Sequence, residues 1–106
     1  MKDTDIEGLE PKDAAEYVLA FVATMKKTET DIGRAAEDVA KWTRRVALAT
    51  GKGEAELAGL ARAKLAEVEG KKSALEAELA DLRPKVGILE EKLQRLRGRF
   101  QKSVDT

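Results

Sequence analysis

The side chains that perform most enzymatic chemistry are scarce in this sequence. It contains no histidine, the usual general base and commonest metal ligand, and no cysteine to serve as nucleophile or thiolate ligand. A conventional catalytic triad cannot be assembled from what remains. Adjacent acids such as Glu90 and Glu91 point to different sides of a helix, and Lys72 with Glu76 at i, i+4 makes an ordinary surface pair. Gly51-Lys52-Gly53 has the look of a phosphate loop. That loop needs a glycine five residues before its Gly-Lys and a serine or threonine after it, and Val46 and Gly53 occupy those places. The segment from Lys92 to Lys102 is basic enough to touch phosphates, but its one aromatic, Phe100, belongs to an apolar stripe rather than to a stacking platform. The expectation is a chain with no enzymatic activity, no cofactor, no metal and no nucleic-acid partner.

The residues that do carry a signal are apolar and periodic. Ala14, Val18, Phe21, Met25, Thr28, Ile32, Ala35, Val39, Trp42, Val46 and Ala49 alternate spacings of four and three, and only Thr28 among them is polar. A second run, Ala58, Ala61, Leu65, Val68, Lys72, Leu75, Leu79, Leu82, Val86, Leu89, Leu93, Leu96 and Phe100, repeats the pattern with Lys72 as its single interruption. Such alternation holds one stripe toward a partner helix, which is the mark of a coiled coil. Thr50-Gly51-Lys52-Gly53 breaks it, and a break that short favours antiparallel neighbours. The predicted fold is all-α, a long antiparallel two-helix coiled-coil hairpin. It has a polar acidic tail at 1–10, a first helix over 11–50, a tip at 51–53 and a second helix over 54–103. Pro11 suits a first helical turn. Pro84 must kink the second helix or end it, and the preserved phase of Leu79, Leu82, Val86 and Leu89 favours a kink; a three-helix bundle is the alternative.

Folding the chain at 51–52 sets Trp42 opposite Ala61, Val39 opposite Leu65 and Val18 opposite Val86. Trp42 is then a core residue of the seam near Ala61 and Leu65, close to the tip, whose truncation costs about 3 to 5 kcal/mol if it is well buried. The middle layer, with Thr28 and Ile32 facing Lys72 and Leu75 and with Gly33 and Gly70 nearby, is the weakest part of the seam, since each interior glycine costs about 1 kcal/mol relative to alanine. The second arm outlasts the first, so Leu93, Leu96 and Phe100 overrun it. The tail, through Ile6 and Leu9, can cover part of that stripe, and another chain can cover the rest. Residues 1–16 hold six acids and two lysines, whereas 92–102 hold five bases and no acid, so opposite charges meet at this open end. The run Tyr17 to Ala23 is apolar all round, which implies burial by more than one neighbour. A homo-oligomer, dimer or higher, is therefore expected through Tyr17, Leu19, Val22, Leu93, Leu96 and Phe100.

Composition bounds the rest. The 106 residues carry 20 bases and 20 acids, so no overall field draws the chain to nucleic acid or to an anionic membrane. Its 38% charged and 42% hydrophobic residues suit long amphipathic helices better than a thick-cored globule. The lack of cysteine is compatible with a reducing cytoplasm, no stretch approaches the roughly 18 apolar residues of a spanning helix, and the acidic start is unlike a signal peptide.

Trp42 followed by Ala47, Ala49 and Gly51, then Glu56-Leu57-Ala58 and the steps to Leu65, resembles the tip segment of the phage shock protein A family. That family includes the vesicle-inducing protein of plastids and is related to ESCRT filament proteins. Leu79-Ala80-Asp81-Leu82-Arg83-Pro84-Lys85-Val86-Gly87-Ile88-Leu89-Glu90-Glu91-Lys92-Leu93 is similar to the family's second-arm motif. The resemblance covers Trp42 to Gln101 and implies a reduced bacterial relative that keeps the hairpin core. It would be a scaffold or accessory in envelope-stress and membrane maintenance, cytoplasmic with peripheral contact at the inner membrane. The family's N-terminal amphipathic helix and later helices have no counterpart in this sequence. Apart from the resemblance, the periodicity alone fits an adaptor or regulatory coiled coil that binds a protein partner.

Overall fold

The computed structural model describes the backbone of residues 3–105 and the side chains of residues 3–99. Two helices account for nearly all of it, α1 (Pro11–Gly51) and α2 (Ala55–Asp105), joined by Lys52–Glu54 as an antiparallel hairpin. α1 begins at Pro11 as predicted and the other helix ends lie one or two residues from those predicted, the ordinary slack of a helix boundary. Each start follows from local chemistry. The Ala14 N–H donates to the Glu10 carbonyl at 2.9 Å, so Glu10 caps α1 and Pro11 takes the first helical position, where no N–H is needed. Glu54 plays the same part for α2, its carbonyl accepting from the Ala58 N–H at 2.9 Å.

The tip is a Schellman closure. The Glu54 N–H reaches back to the Ala49 carbonyl at 3.0 Å and the Gly53 N–H to the Thr50 carbonyl at 3.1 Å, satisfying acceptors that the end of α1 would otherwise leave open. The reversal needs one left-handed residue, and Gly53 supplies it with φ of 71°. Gly51, the other glycine of the predicted break, remains helical.

Both predicted stripes are the inner faces. Every position from Ala14 to Ala49, and every one from Ala58 to Leu96, is buried or half-buried. Phe100 lies beyond the described side chains. α2 continues through Pro84 as one helix, so the three-helix alternative falls.

The chain divides into two compact units. One comprises Met1–Lys27 and Leu79–Thr106 and the other Thr28–Glu78. In the first, Ile6, Ala14, Val18, Leu89 and Leu93 form a buried cluster, with Leu9, Tyr17, Phe21, Val22 and Leu96 packed against it. Val18 clusters with Leu89 and Leu93, and the turn falls on Lys52–Glu54, about one residue later than the fold placed at 51–52. In the second unit Thr28 is buried, and Lys72 lays its stem in the seam while its amine pairs with Glu76 at 3.5 Å.

Candidate functional site

The ends of the two units treat their large apolar residues differently. In the unit holding the N-terminus, the tail is an ordered part of the core. A turn closed by the Leu9 N–H on the Ile6 carbonyl at 3.1 Å drops Ile6 between the helices, where it is 1% exposed. The tail is fastened by hydrogen bonds and charge. The Tyr17 hydroxyl donates to the Asp3 carbonyl at 2.6 Å, Lys85 Nζ pairs with Asp3 Oδ2 at 2.8 Å, and Lys92 Nζ donates to the Thr4 carbonyl at 2.7 Å while pairing with Glu7 at 3.3 Å.

Titration follows from these contacts. The Lys85 ammonium hydrogen-bonded to Asp3 holds that carboxyl below its ordinary range. Lys85, hydrogen-bonded to Asp3 and then to Asp81, is pushed up to about 12. Glu7 is drawn down to about 2 by its hydrogen bond with Asp5, by its own backbone N–H and by Lys92.

This arrangement redistributes the residues expected to face another chain. Leu93 is buried in the chain's own core, and Tyr17, Val22 and Leu96 are half-buried against that core. Leu93, expected at a contact with another chain, is 9% exposed and packs with Ile6, Ala14, Val18 and Leu89 of its own chain. Leu19 stands out at 66% exposed, and Phe100 falls outside the described side chains.

At the tip nothing comparable among the described residues covers the surface. Leu48 is 60% exposed, Leu57 54% and Leu60 64%. Together with Trp42, Ala49 and Ala61 they line an open groove of about 470 Å³, bordered by Arg45, Lys52, Lys64 and Glu54. Small residues make it concave, since Ala49 and Ala61 sit low in the seam while the leucines rise at the sides. Trp42 forms part of its wall. The indole is half-buried, with the Arg45 guanidinium 4.6 Å and the Lys41 ammonium 5.2 Å from its ring centroid. It lies near Ala61 at the tip as expected, but as a half-buried residue that also walls the groove, so the cost of truncating it falls below the range for a sealed core site.

Leu48, Leu57 and Leu60 are what the periodicity missed. They lie beside the best-fitting stripe rather than on it. The available signal was a second row, Leu57, Leu60 and Lys64, running parallel to Ala58, Ala61 and Leu65.

Among the described residues, no cluster of His, Cys, Asp and Glu could hold a metal, and no helix is long and apolar enough to cross a membrane. Comparison with models of known families, with curated proteins and with solved structures finds no match to this chain.

Proposed function

We propose that this chain is a non-catalytic helical hairpin that works as an adaptor, presenting its tip to another protein. The observation that carries this reading is the groove at the tip. The chain's own tail closes the open end over Leu89 and Leu93, while Leu48, Leu57 and Leu60 remain exposed around an alanine floor. Exposed apolar patches rimmed by polar residues mark interaction sites in soluble proteins. Concavity favours a protein partner over a bilayer, and the outermost turn, Lys52-Gly53-Glu54-Ala55-Glu56, is too polar to enter lipid end-on. A photo-crosslinking residue at Leu57, with the exposed Ala74 as control, tests this in the native cells. Protein adducts from position 57 and not from 74 are expected; adducts to lipid alone, or none from either position, would overturn the reading.

A second reading has support at the open end. Leu19 and Ile88 are exposed there, which favours self-assembly of the kind implied by the likeness of Trp42 and the tip spacing to phage shock hairpins. In that reading the protein is a homo-oligomeric accessory in membrane maintenance, in peripheral contact with the inner membrane. Light scattering together with co-sedimentation on anionic liposomes tests it: a monomer that stays in the supernatant would remove it.

A further inference from the structure

We infer that the tip groove takes an acidic amphipathic helix from a partner protein, a proposal that rests on the adaptor reading above and specifies the partner's chemistry. Helices bind in apolar grooves through residues at i, i+3 or i+4 and i+7. Here the leucines of both arms flank a floor of alanines, so incoming large side chains can descend between Leu48 on one side and Leu57 and Leu60 on the other.

Charge selects the sign of the flanks. Three bases, Arg45, Lys52 and Lys64, border the groove against one acid, Glu54, and Lys64 is shared with Glu67 at 3.4 Å. The whole chain has a formal net charge of 0, yet Lys41 to Lys64 contains six bases and two acids. This concentration of positive charge argues against a second tip as occupant, because two such tips would repel one another. Arg45 suits a carboxylate well. Its guanidinium carbon lies 4.6 Å from the Trp42 ring centroid, and a guanidinium held against an aromatic face keeps N–H groups able to donate to an arriving acid. The partner helix would thus place leucine-like residues in the groove and Asp or Glu toward Arg45 and Lys52.

The test uses the full chain and the fluorescence of Trp42, its only tryptophan, checked by calorimetry. The probes are a helix-stapled peptide of about 20 residues with leucines on one face and glutamates on its flanks, the same peptide with lysines for glutamates, and phosphatidylglycerol vesicles. The acidic peptide is expected to bind with Kd on the order of 10 µM, and the lysine analogue about tenfold or more weaker. Leu57→Ala with Leu60→Ala should weaken the acidic peptide about tenfold or more with helicity unchanged, since both side chains are exposed. Lys52→Glu should weaken the acidic peptide and tighten the basic one. Equal affinity for both peptides, or no response to the acidic peptide up to about 1 mM, overturns the proposal. A response to vesicles that peptides do not share overturns it in favour of a membrane. If position 57 crosslinks to protein while the acidic peptide fails, the adaptor reading stands and only the partner's chemistry is wrong.

Discussion

Replacing Ile6 with alanine should be among the most damaging conservative changes in this chain, although the residue lies in a tail outside both helices. Ile6 is 1% exposed and belongs to the cluster with Ala14, Val18, Leu89 and Leu93. The substitution removes three carbons. At about 0.8 kcal/mol per buried methylene the transfer part is about 2.4 kcal/mol, and the void left behind raises the expected loss to about 3 kcal/mol. Two effects limit it. The tail can detach without the hairpin unfolding, so the loss cannot exceed the free energy of docking the tail, and a detached tail regains conformational entropy. The expectation is therefore about 2 to 3 kcal/mol. With a urea dependence of about 1.5 kcal/mol per molar for a chain of this size, the unfolding midpoint should fall by about 1.3 to 2 M. Leu19→Ala is the control, because its side chain is largely exposed and its loss should cost about 0.5 kcal/mol or less. As the tail loosens it uncovers Leu89 and Leu93, so the variant's mass by light scattering should rise above that of the wild type. An Ile6→Ala protein within about 0.5 kcal/mol of wild type and unchanged in mass would show that the tail is not part of the core.

Three further outcomes follow from specific residues. Pro84→Ala should restore the N–H that can donate to the Ala80 carbonyl inside α2 and raise stability by up to about 3 kcal/mol, read by urea unfolding; a loss of stability would show that the proline fits a geometry alanine does not. Gly53→Ala meets no steric obstacle, so it should cost only the strain of a left-handed alanine, about 1 kcal/mol, whereas Gly51→Ala should be neutral or stabilising; equal effects at both sites would contradict the assigned turn. The tail contacts should also be pH dependent. Asp3 and Glu7 titrate lower when folded, so their contribution is present above the ordinary carboxylate range and disappears as pH falls, toward about 2 for Glu7. Lys85 has the opposite sign, contributing fully below its ordinary 10.5 and losing that contribution as pH rises through about 12. The stability gap between wild type and Asp3→Asn with Glu7→Gln should therefore narrow between pH 6 and pH 3; a constant gap would mean that these ion pairs do not hold the tail.

The hairpin was legible because coiled-coil burial is a one-dimensional problem. Spacings of three and four fix which face of each helix turns inward, and every stripe residue from Ala14 to Ala49 and from Ala58 to Leu96 is buried or half-buried. The break was equally plain, since a reversal this tight needs a residue at positive φ and the glycines marked it. Register was less legible. Two glycines two residues apart leave the turn's centre uncertain by about a residue, and in an antiparallel pair each residue of shift moves partners by two. The tail's role was only half visible, because Ile6 and Leu9 in a polar stretch show no period of their own. Lys85 as an anchor for Asp3 has no signature in the sequence, being 82 positions away.

The tip shows why function was harder to read than fold. A stripe explains what a chain does with the apolar residues that lie on it, and says nothing about those beside it. Leu48, Leu57 and Leu60 are redundant for the hairpin, since the seam there is built from Val46, Ala49, Ala58 and Ala61, and alanine at such positions narrows rather than widens the apolar face. Leucines set around a floor of alanines are a poor solution for an isolated hairpin, because they leave apolar area in water that larger floor residues would have helped to cover. They are a good solution for a surface that must receive large side chains from elsewhere. The other end supplies the comparison within the same molecule: its overrunning leucines are met by Ile6 and by a tail fastened through Asp3, Glu7, Lys85 and Lys92. A chain that covers one apolar end with its own acidic segment, and leaves the basic tip open, already displays the chemistry by which that tip can be covered: apolar side chains flanked by carboxylates.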